Sequence, residues 1–144
     1  MPRILVIEDD TDVRLVFENV LVDDGYEVDT VETVRAGCER LEHQTYDLVI
    51  SDGRLPDGIG TTLADMARGK GIPAMIITGY ALWLDEKAGV DLSNYNVLSK
   101  PVRPGQLLQA VARTLGACSN ERAFGHDKGT RGRGQASARA LDTP

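Results

Sequence analysis

The sequence has few cysteines, few aromatic residues and no long apolar run. Its two cysteines, Cys38 and Cys118, are spaced neither as a disulfide framework nor as a CxxC metal site. We therefore expect two free thiols in a reducing compartment. The first ten residues, MPRILVIEDD, contain an apolar segment far too short for a signal peptide or a membrane span. These absences exclude the disulfide-rich secreted class and predict a cytoplasmic protein that makes no use of a membrane.

Basic residues are also in deficit, and the chain carries a net charge of −6. Residues 1–116 contain 11 Lys and Arg against 19 Asp and Glu, whereas residues 117–144 contain 5 against 3. Nucleic acids bind basic surfaces, so the acidic part argues against direct nucleic acid binding. Residues 117–144 also lack a helix-turn-helix pattern, zinc-ligand spacing and a basic recognition helix. Acidic side chains gathered at one site would instead attract a cation.

The chain is expected to form one domain followed by a tail. Its 144 residues fit a single domain, and 42% of them are hydrophobic, which suffices for one buried core. The helical periodicity of apolar residues stops after Leu115, and Gly, Ser, Arg and Ala then dominate. We therefore predict a domain over residues 1–116 and a disordered tail over residues 117–144.

What the sequence does contain is a regular alternation of apolar runs and helix-period segments. Five strands are predicted, over residues 4–7, 26–31, 48–51, 74–77 and 97–99. Five helices are predicted between and after them, including a short one over residues 82–88 and a third over residues 61–68. Apolar strands that alternate with helices indicate an α/β fold with a parallel sheet covered on both faces.

Particular residues predict where the helices begin and end. Thr11 and Thr33 are expected N-caps of the first two helices. Gly25 should end the first helix, because glycine readily adopts the left-handed conformation. Pro104 suits the first turn of the last helix. The segment GRLPDGIG, residues 53–60, is predicted to be a loop.

Polar side chains follow four of the five predicted strands. They are Glu8, Asp9 and Asp10 after the first strand, Asp52 after the third, Thr78 at the end of the fourth, and Lys100 after the fifth. The carboxyl ends of the strands in an open parallel sheet form the binding crevice. We therefore expect three or four carboxylates, one hydroxyl and one ammonium group to meet there.

These residue types suit Mg²⁺-assisted phosphoryl transfer. Carboxylates placed close together repel one another, and Mg²⁺ relieves that repulsion while retaining waters and a phosphate oxygen as ligands. Asp52 can attack a phosphorus atom as an oxygen nucleophile. Lys100 and Thr78 can then contact oxygens of the transferring group. No GxGxxG or GxxxxGK[ST] loop follows the first strand, which excludes a glycine-rich nucleotide site.

Four segments, in this order and at these intervals, resemble the receiver domain of bacterial response regulators: RILVIEDD, DLVISDGRLPDGIG, PAMIITGYA and VLSKPV. The resemblance covers residues 3–115. It implies a (βα)5 doubly wound fold, in which five parallel strands follow the flavodoxin-like order 2-1-3-4-5. It also implies membership of a two-component regulatory system.

The resemblance assigns a role to each residue of the cluster. Asp52 would be the phosphoacceptor, and Glu8 and Asp9 the acidic pair, with Asp9 a direct Mg²⁺ ligand. The backbone carbonyl of Arg54 would complete the protein ligands, whereas Asp10 would be a neighbour. Thr78 and Lys100 would contact the phosphoryl group, and the peptide bond between Lys100 and Pro101 would be cis.

Further positions would control access and switching. Arg54 and Tyr80 are expected to shield the acyl phosphate partly from water, with solvent-facing side chains as the alternative, and the small Gly79 leaves access open. The family usually has Tyr or Phe three residues before the lysine, where this chain has Val97. We therefore expect an altered or absent output switch, unless Tyr95 on the same strand face substitutes.

The implied partner is a sensor histidine kinase or a histidine phosphotransfer protein. On this chain, the surface expected to bind the partner comprises Val13, Arg14, Phe17 and Val102. Arg14 is expected to be exposed, and core packing is the alternative for Phe17. A weak homodimer is left open.

The expected function is that of a phosphoacceptor in a phosphorelay, working as a signalling switch or phosphate shuttle. Its only catalysis would be slow self-catalysed phosphorylation and dephosphorylation, so it would not be a metabolic enzyme. One alternative is a pseudo-receiver that binds partners without phosphorylation. Another is a haloacid-dehalogenase-type phosphatase, which needs a second acid where this chain has Arg54. We expect no output domain in this chain, which would be either a free-standing receiver or a receiver cut from a longer protein.

Overall fold

A computed structural model describes residues 1–79, Leu84 and residues 88–126. The chain divides into two compact units, Met1–Leu108 and Gln109–Pro144. Tyr80 and most of the predicted helix over residues 82–88 lie outside the described residues, as does the predicted tail beyond residue 126.

The main sheet has five parallel strands. They are β1 (Arg3–Ile7), β2 (Glu27–Val31), β3 (Leu48–Ser51), β6 (Ala74–Thr78) and β7 (Asn96–Ser99). Their spatial order is β2-β1-β3-β6-β7, which confirms the predicted 2-1-3-4-5 arrangement. The register places Ile7 beside both Val31 and Ser51, so these strands reach the same edge of the sheet together.

Four helices are described in full: α1 (Thr11–Asp23), α2 (Val34–His43), α3 (Thr61–Gly69) and α4 (Pro104–His126). A short 3-10 helix, Leu92–Asn94, precedes β7. The last helix extends beyond Leu115, where the apolar periodicity ends, and it includes the first ten residues of the predicted tail. Because helix ends follow backbone hydrogen bonds, a polar sequence can continue a helix after its apolar face stops. The domain boundary at residue 116 stays a prediction.

The core is built on the alternation of side chains along the strands. Leu5 and Ile7 of β1 share one cluster of buried side chains with Leu41 of α2 and Leu63 of α3. The intervening Ile4 is also fully buried, and successive strand residues point to opposite faces. Both faces of β1 are therefore removed from water, as predicted for a parallel sheet between helices.

The helix ends follow local chemistry, with one correction. Thr33 caps α2, since its hydroxyl accepts a hydrogen bond from the Ala36 N–H at 3.0 Å, and Gly25 follows α1 with a φ of 97°. The cap of α1, however, is Asp10 and not Thr11. Asp10 Oδ1 accepts from the N–H groups of Asp12 and Val13 at 2.9 and 3.1 Å. A carboxylate and a hydroxyl are both good caps, so neighbouring candidates are hard to separate from sequence.

The predicted loop over residues 53–60 contains regular structure. Arg54–Leu55 (β4) and Gly58–Ile59 (β5) form a two-stranded antiparallel ribbon. Pro56 and Asp57 make the turn between them. Two residues per strand are too few to produce a strand pattern in the sequence.

Candidate functional site

All the strand-end residues except Thr78 meet around one cavity of about 360 Å³ at the carboxyl edge of the sheet. Its described lining residues are Glu8, Asp9, Asp10, Asp52, Arg54, Leu55, Pro56 and Lys100. Six of these eight side chains are ionisable, and five of the six belong to the residues predicted to converge. Parallel strands place their carboxyl ends at one edge, which explains why such distant residues come together.

Three carboxylates form the centre of the cavity. One oxygen from each of Glu8, Asp9 and Asp52 lies within 4.8 Å of the others. Glu8 and Asp52 are buried, with 1% and 5% of their surface exposed, while Asp9 faces solvent. This arrangement offers oxygen ligands to a hard divalent cation and an open side through which the cation can enter.

Lys100 connects two of these carboxylates. Its Nζ lies 2.7 Å from Glu8 Oε2 and 3.2 Å from Asp52 Oδ2. Burial alone would lower the pKa of Lys100, but the hydrogen bond to Glu8 and the charge of Asp52 outweigh burial and raise that pKa. The ammonium group therefore stays charged and holds both carboxylates near one point.

One ammonium group does not balance the negative charge of the site. Burial raises the pKa of Glu8 to about 7, because it disfavours the carboxylate more than the Lys100 hydrogen bond favours it. The neighbouring charge of Asp52 also raises this pKa, and the value of about 7 includes its effect. An added cation would relieve this excess of negative charge, so the donor set fits a metal ion electrostatically as well as in ligand type.

The Asp52 carboxylate and backbone are fixed from several sides. Its Oδ1 accepts a hydrogen bond from the Arg54 N–H at 3.3 Å, and its own N–H donates to the Ile7 carbonyl at 2.9 Å. Gly60 packs directly on this residue. A Cβ at Gly60 would overlap the Asp52 carbonyl oxygen and lie 2.6 Å from Ser51 Oγ. Glycine is thus required at residue 60 for steric reasons that the predicted loop did not reveal.

Thr78 packs against Gly53 and is not among the described residues that line the cavity. It is fully buried at the end of β6. A Cβ at Gly53 would come within 2.9 Å of Thr78 Cβ and 3.0 Å of its Oγ1. The Thr78 carbonyl accepts a hydrogen bond from the Lys100 N–H at 3.1 Å, which joins the end of β6 to the lysine. Gly79 is exposed, and a side chain there would begin 3.9 Å from Lys100 Cβ.

Val97 and Tyr95, the two candidates for a switch residue, have different surroundings. Val97 is a half-buried residue of β7. Tyr95 precedes the strand; its hydroxyl donates to Asp65 Oδ1 at 2.7 Å, and its ring lies 5.1 Å from the Arg68 guanidinium carbon. Tyr95 is therefore bound to α3. The peptide bond between Lys100 and Pro101 is cis, as the resemblance implies.

Arg14 does not have the exposed position expected for a docking residue. Its side chain is only 15% exposed, and its Nη1 donates to the Glu8 carbonyl at 3.1 Å. Its Nη2 lies 3.7 Å from Glu32 Oε2, just after β2. Helical side chains point toward the N-terminus of their helix, so the position of Arg14 in the first turns of α1 was a usable signal.

The other expected docking residues lie along an apolar groove of about 490 Å³. Its described lining residues are Asp12, Val13, Val16, Phe17, Lys100, Pro101 and Val102. Phe17 is only 5% exposed, so it belongs to the core, which was the alternative for this residue. Val13 and Val102 are half-buried, and Val16 is 49% exposed.

Comparison with known proteins gives one consistent result. Residues 4–112 match the family model described as Response regulator receiver domain. The chain is 30% identical over 112 residues to an uncharacterized 14.6 kDa protein of Leptolyngbya boryana, with 75% of this chain and 86% of that protein covered. It spans about half the length of the transcriptional regulatory proteins that it also matches.

Two solved structures of response regulator proteins have a similar fold. One is a response regulator receiver domain protein of Methanospirillum hungatei, at 31% identity and a TM-score of 0.72, covering 84% of this chain and 98% of that one. The other is the response regulator TrrA of Thermotoga maritima in complex with Mg²⁺-BeF, at 26% identity and a TM-score of 0.69. The alignment covers 79% of this chain and 99% of TrrA.

Proposed function

The chain belongs to the response regulator receiver domain family, and from this premise we propose that Asp52 accepts a phosphoryl group from a phosphohistidine in a Mg²⁺-dependent reaction. The chain then acts as a signalling switch or phosphate shuttle in a two-component phosphorelay. The main support is the cluster of Glu8, Asp9 and Asp52, with carboxylate oxygens within 4.8 Å of one another. Lys100 is hydrogen-bonded to two of these three residues.

The metal in this proposal is Mg²⁺. Glu8, Asp9, Asp52 and the backbone carbonyl of Arg54 would hold it. When bound, Mg²⁺ supplies positive charge that offsets both the carboxylates and the oxygens of a transferring phosphoryl group. The choice of metal is supported by the all-oxygen donor set and by TrrA, which was solved in complex with Mg²⁺-BeF.

In the proposed reaction a carboxylate oxygen of Asp52 attacks the phosphorus atom. The new O–P bond forms as the P–N bond to the donor imidazole breaks, and its electron pair leaves with the imidazole nitrogen. Before the attack, the Arg54 N–H holds Oδ1 and the Lys100 ammonium holds Oδ2. The chain therefore contributes mainly orientation and charge, as phosphoryl transfer requires.

Thr78 enters the proposal as a group that moves. Its buried side chain is next to Gly53, which has no side chain of its own to separate it from the cavity. A phosphoryl oxygen at Asp52 would draw the hydroxyl toward the site and shift the end of β6. Such a shift would connect phosphorylation to a change of conformational population.

Mass spectrometry after incubation with acetyl phosphate and Mg²⁺ tests the central claim. We expect one added phosphoryl group in the wild type and in Asp23→Asn, which alters an exposed carboxylate at the end of α1. Asp52→Asn should add none. A wild type that stays unmodified would instead support the phosphorylation-independent interaction module.

Arg54 and Tyr80 are proposed to shield the acyl phosphate from water. Arg54 is exposed on β4 and lines the cavity beside Asp52, whereas Tyr80 is outside the described residues. Phosphate loss from the phosphorylated wild type, Arg54→Ala and Tyr80→Ala would be timed. Shorter half-lives in the variants would support shielding, and unchanged half-lives would refute it.

The phosphodonor is proposed to be a histidine kinase or phosphotransfer protein that docks a helical hairpin in the apolar groove. The groove borders Lys100 and is lined by Val13, Val16 and Val102. Val16→Lys should slow phosphotransfer from such a donor but not labelling by acetyl phosphate. Val22→Lys is the matched control, since Val22 has the same 49% exposure but lies outside the groove.

The output switch is proposed to be altered. Val97 lacks the aromatic ring that the family uses, and the Tyr95 hydroxyl is hydrogen-bonded to Asp65 on α3. The test compares the amide chemical shifts of β7 with and without beryllium fluoride, which mimics the phosphoryl group. Small shifts in β7 are expected, and large coupled shifts there would contradict the proposal.

A further inference from the structure

Asp57 joins the turn between β4 and β5 to the beginning of α2. Its Oδ1 accepts a hydrogen bond from the Val34 N–H at 2.8 Å, and its Oδ2 accepts one from the Arg35 N–H at 3.0 Å. First-turn N–H groups have no hydrogen-bond partner within their own helix, so a carboxylate that accepts from two of them supplies the missing acceptors. These two hydrogen bonds hold the pKa of Asp57 below its usual range, which keeps the carboxylate ionised.

The other end of the same ribbon lies at the phosphoryl-accepting residue. The Arg54 N–H donates to Asp52 Oδ1 at 3.3 Å, and the Gly60 N–H donates to the Gly53 carbonyl at 2.9 Å. Between the two ends, Leu55 is 6% exposed and packs in the core cluster that Val34 also contacts. The ribbon is therefore attached to the site at its base and to α2 at its turn.

A ribbon of two residues per strand is not stable without such attachments. Its register pairs only Arg54 with Ile59 and Leu55 with Gly58. Isolated two-stranded ribbons are marginal in water even when they are longer. The position of Arg54 therefore depends on what fixes the turn, and the two charge-assisted hydrogen bonds that Asp57 accepts are the described polar contacts between this turn and α2.

We propose that Asp57 is a positioning residue for the phosphoryl-accepting site. By binding the ribbon turn to α2, it fixes the Arg54 backbone, whose N–H orients Asp52 and whose carbonyl is a proposed Mg²⁺ ligand. This inference rests on the proposed function for its consequence in metal binding. Its structural part, the restraint on Arg54, is independent of any metal.

The first measurement is hydrogen exchange of backbone amides in the metal-free protein. In Asp57→Ala we expect the Arg54 and Gly60 N–H groups to exchange several-fold faster than in the wild type. Asp91→Ala is the matched control. Asp91 is also an exposed aspartate with a lowered pKa that accepts a hydrogen bond from a backbone N–H, that of Ser93 at 3.1 Å. Its replacement should leave both amides unchanged.

The second measurement is calorimetric titration with Mg²⁺. We expect Asp57→Ala to weaken Mg²⁺ binding about tenfold, since loss of a residue that orients a ligand typically costs this much or more. Asp57→Asn retains one acceptor oxygen and should fall between Asp57→Ala and the wild type. Thr33→Ala removes the local cap of α2 without touching the ribbon and should bind Mg²⁺ as the wild type does.

Two results would overturn the inference. One is faster exchange in Asp57→Ala at Val34 and Arg35 alone, with Arg54 exchange and Mg²⁺ binding unchanged, which would make Asp57 a helix cap and nothing more. The other is equal weakening of Mg²⁺ binding by Thr33→Ala, which would assign the effect to helix stability. If the wild type neither binds Mg²⁺ nor accepts a phosphoryl group, the proposed function fails, while the exchange of Arg54 still decides the structural part.

Discussion

Glu8 is the residue at which burial and charge oppose each other most directly. It is 1% exposed, is hydrogen-bonded to Lys100, and lies beside the Asp52 carboxylate. Its pKa of about 7 lies above the ordinary value of 4.5. A carboxyl group with a higher pKa in the folded than in the unfolded chain binds its proton more tightly when folded. Its contribution to stability is complete below pH 4.5 and is lost as the pH rises through 7.

We therefore predict a pH-dependent stability for the metal-free protein. The Glu8 contribution to the free energy of unfolding should decrease between about pH 4.5 and 7, and Glu8→Gln should remove that decrease. Urea denaturation in the presence of a chelator, at several pH values, measures the slope. Glu27→Gln, at an exposed position on β2, is the control and should keep the wild-type slope.

Two other carboxylates act in a separate pH range. The pKa values of Asp57 and Asp91 are lowered from 3.8 by hydrogen bonds from backbone N–H groups and, for Asp91, first from the Ser93 hydroxyl. Their contributions to the free energy of unfolding are present above pH 3.8 and are lost only as the pH falls below it.

One result would contradict the prediction for Glu8. If Glu8→Gln has the wild-type slope between pH 4.5 and 7, burial of Glu8 is not the source of the decrease in stability.

At the scale of elements, α3 begins directly against the backbone of the proposed phosphoacceptor. Gly60 precedes the helix with φ −67° and ψ −20°, a conformation open to any residue. Glycine is needed there because a side chain would meet the Asp52 carbonyl and Ser51 Oγ. The beginning of α3 and the Asp52 backbone must therefore move together if either moves.

Gly60→Ala is predicted to lower the free energy of unfolding by about 3 kcal/mol, because the added methyl group has no space. The matched control is Gly69→Ala at the other end of α3, where nothing lies within 4 Å of the added Cβ. That variant should be neutral or stabilise the protein by up to about 1 kcal/mol. Chemical denaturation of both measures the difference, and similar values for the two would contradict the steric argument.

At the scale of the whole molecule, metal binding and folding are linked. A cation that binds only the folded site stabilises the protein by about 2.7 kcal/mol at a concentration of 100 times its Kd. We therefore predict that Mg²⁺ raises the unfolding midpoint and that Asp9→Asn removes this rise. Thermal denaturation with and without Mg²⁺ is the measurement.

Asp10→Asn tests whether Asp9 acts as a ligand or only as a nearby charge. Asparagine preserves the cap of α1, because its side-chain oxygen can still accept the hydrogen bonds from two backbone N–H groups. Most of the Mg²⁺-dependent rise should survive in this variant. Equal losses in Asp9→Asn and Asp10→Asn would show that the response depends on overall charge and not on a specific ligand.

The described residues include no helix that is long and apolar enough to cross a membrane. In the second unit, the chain is helical as far as His126, and Thr114 Oγ1 donates to the Ala110 carbonyl at 2.8 Å. The predicted cytoplasmic location stays a prediction, and so does the disorder of the part of the tail beyond the described residues.

The sequence predicted the elements that depend on local patterns. Apolar runs located all five strands of the sheet to within one residue at each end, and Thr33, Gly25 and Pro104 predicted helix ends that the structure confirms. The alternation of strands and helices predicted the site as well, because parallel strands bring their carboxyl ends to one edge whatever their distance in sequence. Hydrophobic period and backbone preference act over a few residues, so they can be read along the chain.

The tertiary structure alone decided the contacts between distant segments. Asp57 caps a helix that begins 23 residues earlier, and Gly60 lies against Asp52. It also buried Thr78 beside Gly53 and attached Tyr95 to α3. Each of these contacts depends on the close packing of separate segments, which no pattern along a single segment records.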